Sequence, residues 1–273
     1  VATIARPLFG MLALALALVF VVLLVATGVG VLVRPLLPEE HKAHETVQLI
    51  QLVIGMLVTF AALVLGLMTA SAKTSFDTVA NDFRAYAADL IQLDVKLRDY
   101  GPDASKARML LRAYTAEAIA TTWPNETPPP GDYYQKNFPH DPRNLENRRL
   151  GHMLDLAESE IRGLNPSDTA HRTLAAEALE RFTILSDARW KLIEESHSSI
   201  SDPFFLTLTF WLAVIFLSFG LIAPRNALAL VMITLGALSI ASAIYGIVDL
   251  DTPFTGPIVI PSQPMRDALA HLL

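Results

Sequence analysis

The residues with the most specific spacing are Gly55, Thr59, Ala62, Gly66, Thr69 and Lys73, separated by 4, 3, 4, 3 and 4 positions. On a helix this seven-residue period holds small side chains and two hydroxyls in one narrow seam. Two kinds of chemistry suit such a seam. In lipid, small residues let backbones approach closely, which makes the seam a helix–helix contact inside one subunit. Turned to a central axis instead, its hydroxyls and bare backbone would line a narrow pore, with Ile54, Val58 or Phe60 as an apolar constriction. Lys73 at its end either draws anions to the mouth or anchors the helix as an ordinary flanking cation. A second series, Gly236, Ser239, Ala243 and Gly246, suggests helix packing of the same kind.

Other chemistry is sparse. His41 and His44 sit with Glu39, Glu40 and Glu45 in one loop, a weak candidate metal site, since histidines at i and i+3 can share a helix face. The same composition describes a solvated loop, so no metal and no cofactor is expected. His140, His152, His171, His197 and His271 lack ligand spacing. The sequence contains no cysteine, which excludes thiolate metal sites and disulfides. It has no GxSxG, no HExxH and no phosphate-cradling glycine loop, so no catalytic residues are assigned and an enzyme is not expected. Glu158, Glu160, Glu177, Glu180, Glu194 and Glu195 are interleaved with Arg162, Arg181, Arg189 and Lys191 and read mostly as surface i,i+4 partners.

The elements that must position the seam follow from where charge is missing. Of 48 charged side chains, 37 lie between Lys73 and Asp202, 16 basic and 21 acidic, so the flanking stretches are nearly charge-free. Each flank contains two apolar runs long enough to cross a bilayer. The expected architecture is all-α, with four transmembrane helices in two pairs and a cytosolic helical segment between the second and third. The first span, 8–33, is too long for a signal h-region and is read as retained, although a start at Val1 suggests a trimmed N-terminus. Pro35 and Pro38 break the chain after it.

The domains then read 1–46, first helix and external loop; 47–99, second helix running on as a cytosolic helix; 100–202, cytosolic helical domain with a Pro-rich loop at 123–142; 203–248, transmembrane hairpin; 249–273, cytosolic tail. Beyond the second span Phe76, Ala80, Phe83, Ala87, Leu90, Leu93 and Leu97 keep helical spacing without a break. Ser105 is expected to cap the next helix, and Asn165-Pro166 to start the last cytosolic one. There Leu174, Ala178, Phe182, Leu185 and Leu192 form a stripe that needs a partner. Ala223-Pro-Arg-Asn226 is a tight turn between the third and fourth spans. No ionisable residue falls within the four spans as drawn, which argues against a proton-coupled transporter. Arg6, Lys73, Arg84, Arg189, Lys191 and Arg266 outnumber Arg34, Lys42 and Arg225 and place both termini and the central segment in the cytoplasm. A net charge of −6 gives no reason to expect nucleic acid.

Three runs carry a family resemblance: Leu65-Gly-Leu-Met-Thr-Ala-Ser-Ala-Lys-Thr-Ser-Phe-Asp77, Phe219-Gly-Leu-Ile-Ala-Pro-Arg-Asn226, and Asp249-Leu-Asp-Thr-Pro-Phe-Thr-Gly256 with Ile258, Ser262 and Pro264 beyond. Together they resemble the bacterial integral membrane proteins called bestrophin-like. The resemblance implies a bacterial inner-membrane, homo-oligomeric channel, by analogy with bestrophins anion-conducting, whose second helix lines the pore. No residues here match the pore-neck or calcium-clasp motifs of true bestrophins. Membrane lipids and further copies of the chain are the expected partners. The alternative is a non-conducting scaffold or accessory subunit bound to other membrane protein subunits.

Overall fold

A computed structural model describes residues 6–36, 38, 44–134, 148–195, 202–224, 226–254 and 256–272, with the side chains of 6–15, 44 and 202 outside that description. Among the described residues the regular structure is helical: α1 (Arg6–Val33), α2 (His44–Tyr100), α3 (Ser105–Thr122), α4 (Arg148–Arg162), α5 (Thr169–Glu195), α6 (Asp202–Ile222), α7 (Ala227–Leu250) and α8 (Gln263–His271). Four of these helices, α1, α2, α6 and α7, are long and apolar enough to cross a membrane. The chain divides into two compact units, one of residues 1–76 and 198–258, the other of 77–197 and 259–273. Tail residues 249–258 therefore belong with the apolar unit and 259–273 with the charged one.

Local chemistry sets the helix ends. α2 runs 57 residues because nothing interrupts it until Gly101, whose φ of 106° is left-handed and stops the helix before Pro102. Asn226 caps α7 by accepting the Ala229 N–H at 2.8 Å. Two expected caps fall elsewhere. Asp168, not Asn165, caps α5, its carboxylate accepting the His171 N–H at 2.8 Å, and the helix starts at Thr169. Ser105 is already helical, behind a short 3₁₀ turn at Pro102–Ala104, and its hydroxyl donates to the Pro102 carbonyl at 2.5 Å.

In the apolar unit α1 lies against α6 and α7. The decisive approach is between glycines. A Cβ on Gly220 would stand 2.1 Å from the Thr27 carbonyl oxygen, and one on Gly30 2.1 Å from that of Leu217. Only glycine admits backbones this close. The buried centre joins Leu23 of α1, Leu208, Leu212 and Phe216 of α6, and Ala237, Ala241 and Ile244 of α7. Arg34 donates to the Ala223 carbonyl at 2.6 Å, tying the end of α1 to the end of α6.

In the charged unit α3 packs on α4 and α8, and α4 on α5. The stripe of α2 is buried at Ala80, Phe83, Ala87, Leu90, Leu93 and Leu97, and that of α5 at Ala178, Phe182, Leu185 and Leu192. The chain end is pinned to the loop after α3. Trp123 donates to the Ile260 carbonyl at 2.7 Å, and Arg266 holds the Glu126 carboxylate at 2.9 Å and the Thr127 carbonyl at 2.8 Å.

Candidate functional site

α2 presents three faces through the apolar unit, about a third of a turn apart at 100° per residue. The first is buried at Ile54, Ala61, Met68 and Ala72 and belongs to the core shared with α6 and α7. The second is the seam, and every one of Gly55, Thr59, Ala62, Gly66, Thr69 and Lys73 is exposed. The third carries Leu52, Met56, Leu63 and Leu67, each more than half exposed. A Cβ added to Gly55 or Gly66 meets nothing within 4 Å, so among the described residues no helix packs on the seam there.

The hydroxyls of the seam are oriented by their own helix. Thr59 donates to the Gly55 carbonyl at 2.9 Å and Thr69 to the Leu65 carbonyl at 2.7 Å. With its proton spent on the backbone, each threonine turns oxygen lone pairs outward. The seam thus offers acceptors and bare backbone along its length and one cation at its end. The Lys73 ammonium lies 5.6 Å from the centroid of the Phe76 ring.

On α7 the packed side is Ala237, Ala241, Ile244 and Ile247, while Ser239 and Ala243 are exposed and Gly236 and Gly246 half-buried. A Cβ on Gly236 or Gly246 also meets nothing within 4 Å. The alanines fill the contact because their methyls reach the neighbouring core, which glycine cannot do. Gly236 instead borders an apolar recess of about 460 Å³ with Gln51, Ile54, Phe216, Phe219 and Met232. The close backbone crossing lies at Gly30 and Gly220, which the spacing argument passed over. The signal available was the small-residue run Ala26-Thr-Gly-Val-Gly30 opposite Ser218-Phe-Gly220.

His41 lies outside the described residues, and His44 opens α2 with its side chain undescribed. Among the described residues no three His, Cys, Asp or Glu side chains converge to hold a metal. α7 runs two residues past Val248 and takes in Asp249, which is buried and accepts the Ile258 N–H at 3.0 Å. Asp249 and Ile258 both lie in the third run that carries the family resemblance. Ser262 in the same pattern donates to the Glu126 carboxylate.

One charge read as a surface partner, Arg189, is internal, and so is Asp94, which lay outside that reading. Arg189 is 8% exposed, and its guanidinium donates to the Tyr114 hydroxyl. Asp94, 1% exposed, takes two hydrogen bonds from Arg108 at 2.7 and 3.1 Å. Glu177 reaches Lys96 at 2.6 Å and Glu160 reaches Lys106 at 2.5 Å, both across helices, whereas Glu158–Arg162 is the expected i,i+4 pair. Periodicity carried the clue, since Asp94 and Arg189 fall on the apolar stripes of their helices.

Comparison with known proteins places this architecture. The sequence model of the Bestrophin-like domain matches residues 19–265. The chain belongs to the bestrophin-like family. No curated protein matches it. Solved structures do. A tryptophan-to-alanine variant of a bacterial bestrophin homologue from Klebsiella pneumoniae superposes with a TM-score of 0.63 at 18% identity, covering 98% of this chain and 97% of the other. An aspartate-to-alanine variant of that homologue gives 0.60 at 17% identity, covering 95% and 97%. The form phased on zinc gives 0.62 at 17%, covering 96% and 97%. At such identities the likeness is one of fold, and it extends over nearly the whole of this bestrophin-like chain.

Proposed function

We propose that this chain is the subunit of a homo-oligomeric membrane channel in which the Gly55–Thr69 face of α2 lines the conducting path. One observation carries the reading: a span packs on one side through Ile54, Ala61, Met68 and Ala72, while its small, hydroxyl-bearing side is exposed and a Cβ on Gly55 or Gly66 meets none of the described residues within 4 Å. Acyl chains gain more from bulky aliphatic faces such as Leu52, Met56, Leu63 and Leu67 than from glycine and threonine. Copies arranged around an axis would enclose the seam and give its acceptor oxygens water or ions. Membership of the bestrophin-like family supports the same reading. The count of lysine and arginine near the span ends favours both termini and the charged unit in the cytoplasm, in a bacterial inner membrane.

The test is ion flux through purified protein in liposomes. Wild type is expected to conduct. Thr59→Leu, which narrows the seam and removes a hydroxyl, is expected to lower flux at least tenfold with folded yield unchanged. Lys73→Gln is expected to shift the reversal potential toward cations, because it removes the positive charge at the end of the seam. Silent bilayers across pH and calcium would instead support the scaffold reading, for which the exposed Phe204, Leu206 and Phe210 on α6 offer a docking face.

A further inference from the structure

The apolar recess beside Gly236 carries its polar groups at one end only. Its walls are Ile54 of α2, Phe216 and Phe219 of α6, and Met232, Ile233 and Gly236 of α7. From Gly236 it extends along α7 to Ala229 and reaches Ala223 and Pro224, where α6 ends. Seven residues of helix cover about 10 Å. A volume of about 460 Å³ suits an organic ligand rather than a few solvent molecules, and walls this apolar do not hold water. Residue type keeps the space open. Ala229, Met232, Ile233 and Gly236 share one face of α7, and among the described residues a Cβ on Gly236 meets nothing within 4 Å.

The polar end is cationic. Arg34 donates to the carbonyl of Ala223, itself part of the wall, at 2.6 Å. That bond uses one of five guanidinium N–H groups, and among the described residues no carboxylate pairs with the rest. Gln51, exposed on α2, lines the recess as well. Arg34 directly follows Val33, the last residue of α1, so its charge lies where a span leaves the hydrocarbon. Lipid phosphates lie at that level too.

We propose that the recess holds one acyl chain of a phospholipid, with the lipid phosphate bound at its mouth by Arg34 and Gln51. A greasy slot about 10 Å long with a cation at one end matches an amphiphile in that order, and no single side chain of a second copy reaches so far. Within a bilayer the acyl chain gains little by leaving other chains, so the charge-assisted phosphate contact sets the preference for this site. The bound chain fills the space between α2 and the α6–α7 pair. Gly236, whose Cβ position is open, is then the residue that leaves room for it. The site does not depend on whether the protein conducts.

Photolabelling of the full-length protein in a maltoside detergent tests this, with phosphatidylglycerol carrying a diazirine in its acyl chain as the probe. Label is expected to concentrate on Phe216 and Phe219 over the outward-facing Leu228 and Leu235 of α7. Unlabelled phosphatidylglycerol is expected to compete about tenfold better than diacylglycerol, which has the same chains and no phosphate. Gly236→Leu puts a side chain into the recess without a backbone clash. It is expected to remove most of the label from Phe216 and Phe219, leaving that on Leu228 and the melting temperature unchanged. Arg34→Gln is expected to abolish the preference for phosphatidylglycerol over diacylglycerol, a ratio that a general loss of stability does not alter. Even labelling of Phe216 and Leu228 would overturn the proposal, since lipid then only passes over the surface. An unlabelled recess, as when a second copy seals it, would overturn it too, as would full labelling of the Gly236→Leu protein.

Discussion

Single charged residues do their work here by where they are buried. Asp94 is enclosed and fixed by two bonds from Arg108, joining α2 to α3. Arg108 is partly exposed and can be hydrated when its partner is lost, so the cost is that of the two charge-assisted bonds, about 1.5–3 kcal/mol. Asp94→Ala is therefore expected to lower the unfolding midpoint in detergent well beyond any single change on the outer face of α5, such as Glu180→Ala. Glu195 has its carboxyl pKa raised, first by burial and then by its hydrogen bond with Asp82, against the pull of Lys191. A carboxyl that binds its proton more tightly in the folded state adds stability below its unfolded pKa. That contribution is lost as pH rises from about 4.5 through the folded value. Glu195→Gln is expected to flatten this part of the pH–melting profile. A profile identical to wild type would show that the pair does not share a proton.

Helices differ in what their glycines do. Gly220 and Gly30 bring the backbones of α6 and α1 together, and a methyl on either would meet a carbonyl oxygen. Overpacking of this kind costs about 1–3 kcal/mol. A Cβ on Gly66 meets none of the described residues within 4 Å. Gly220→Ala is thus expected to reduce folded yield and melting temperature with little direct effect on selectivity, whereas Gly66→Ala leaves the subunit fold intact and alters flux. If both variants lost only stability, the seam would be a packing surface. The three-residue shift at the start of α5 has an element-scale cause as well. Asn165 and Asp168 are both competent caps, and the Asp168 carboxylate also meets the His171 ring nitrogen at 2.7 Å, a contact that favours the later start.

For the whole molecule the question is how many chains act together. In the proposed channel the exposed seam is enclosed by further copies around a closed axis. Native mass measurement of the detergent-solubilised protein is expected to give a single cyclic homo-oligomer, and a monomer would leave the seam with nothing to face but lipid. The bulky exposed residues of the third face of α2, with Leu228, Leu230 and Met232 of α7, supply apolar surface for lipid or for the neighbouring copy.

Much of the fold was legible along the chain. The four long apolar helices, the unbroken run of α2 through Tyr100, the start of α7 at Ala227 and the buried stripes of α2 and α5 all follow from local quantities: hydropathy per residue, glycine and proline breaks, and helical period. Which side of a spanning helix packs was not legible. Lipid is as apolar as a protein core, so the faces of Ile54, Ala61, Met68 and Ala72 and of Leu52, Met56, Leu63 and Leu67 both read as lipid-compatible. Only the tertiary structure separated them, and with them the exposed seam from the Gly30–Gly220 crossing. The same limit hid Arg189. A charge on an apolar stripe reads as an exposed exception until the neighbouring helices supply the Tyr114 hydroxyl that lets it stay inside.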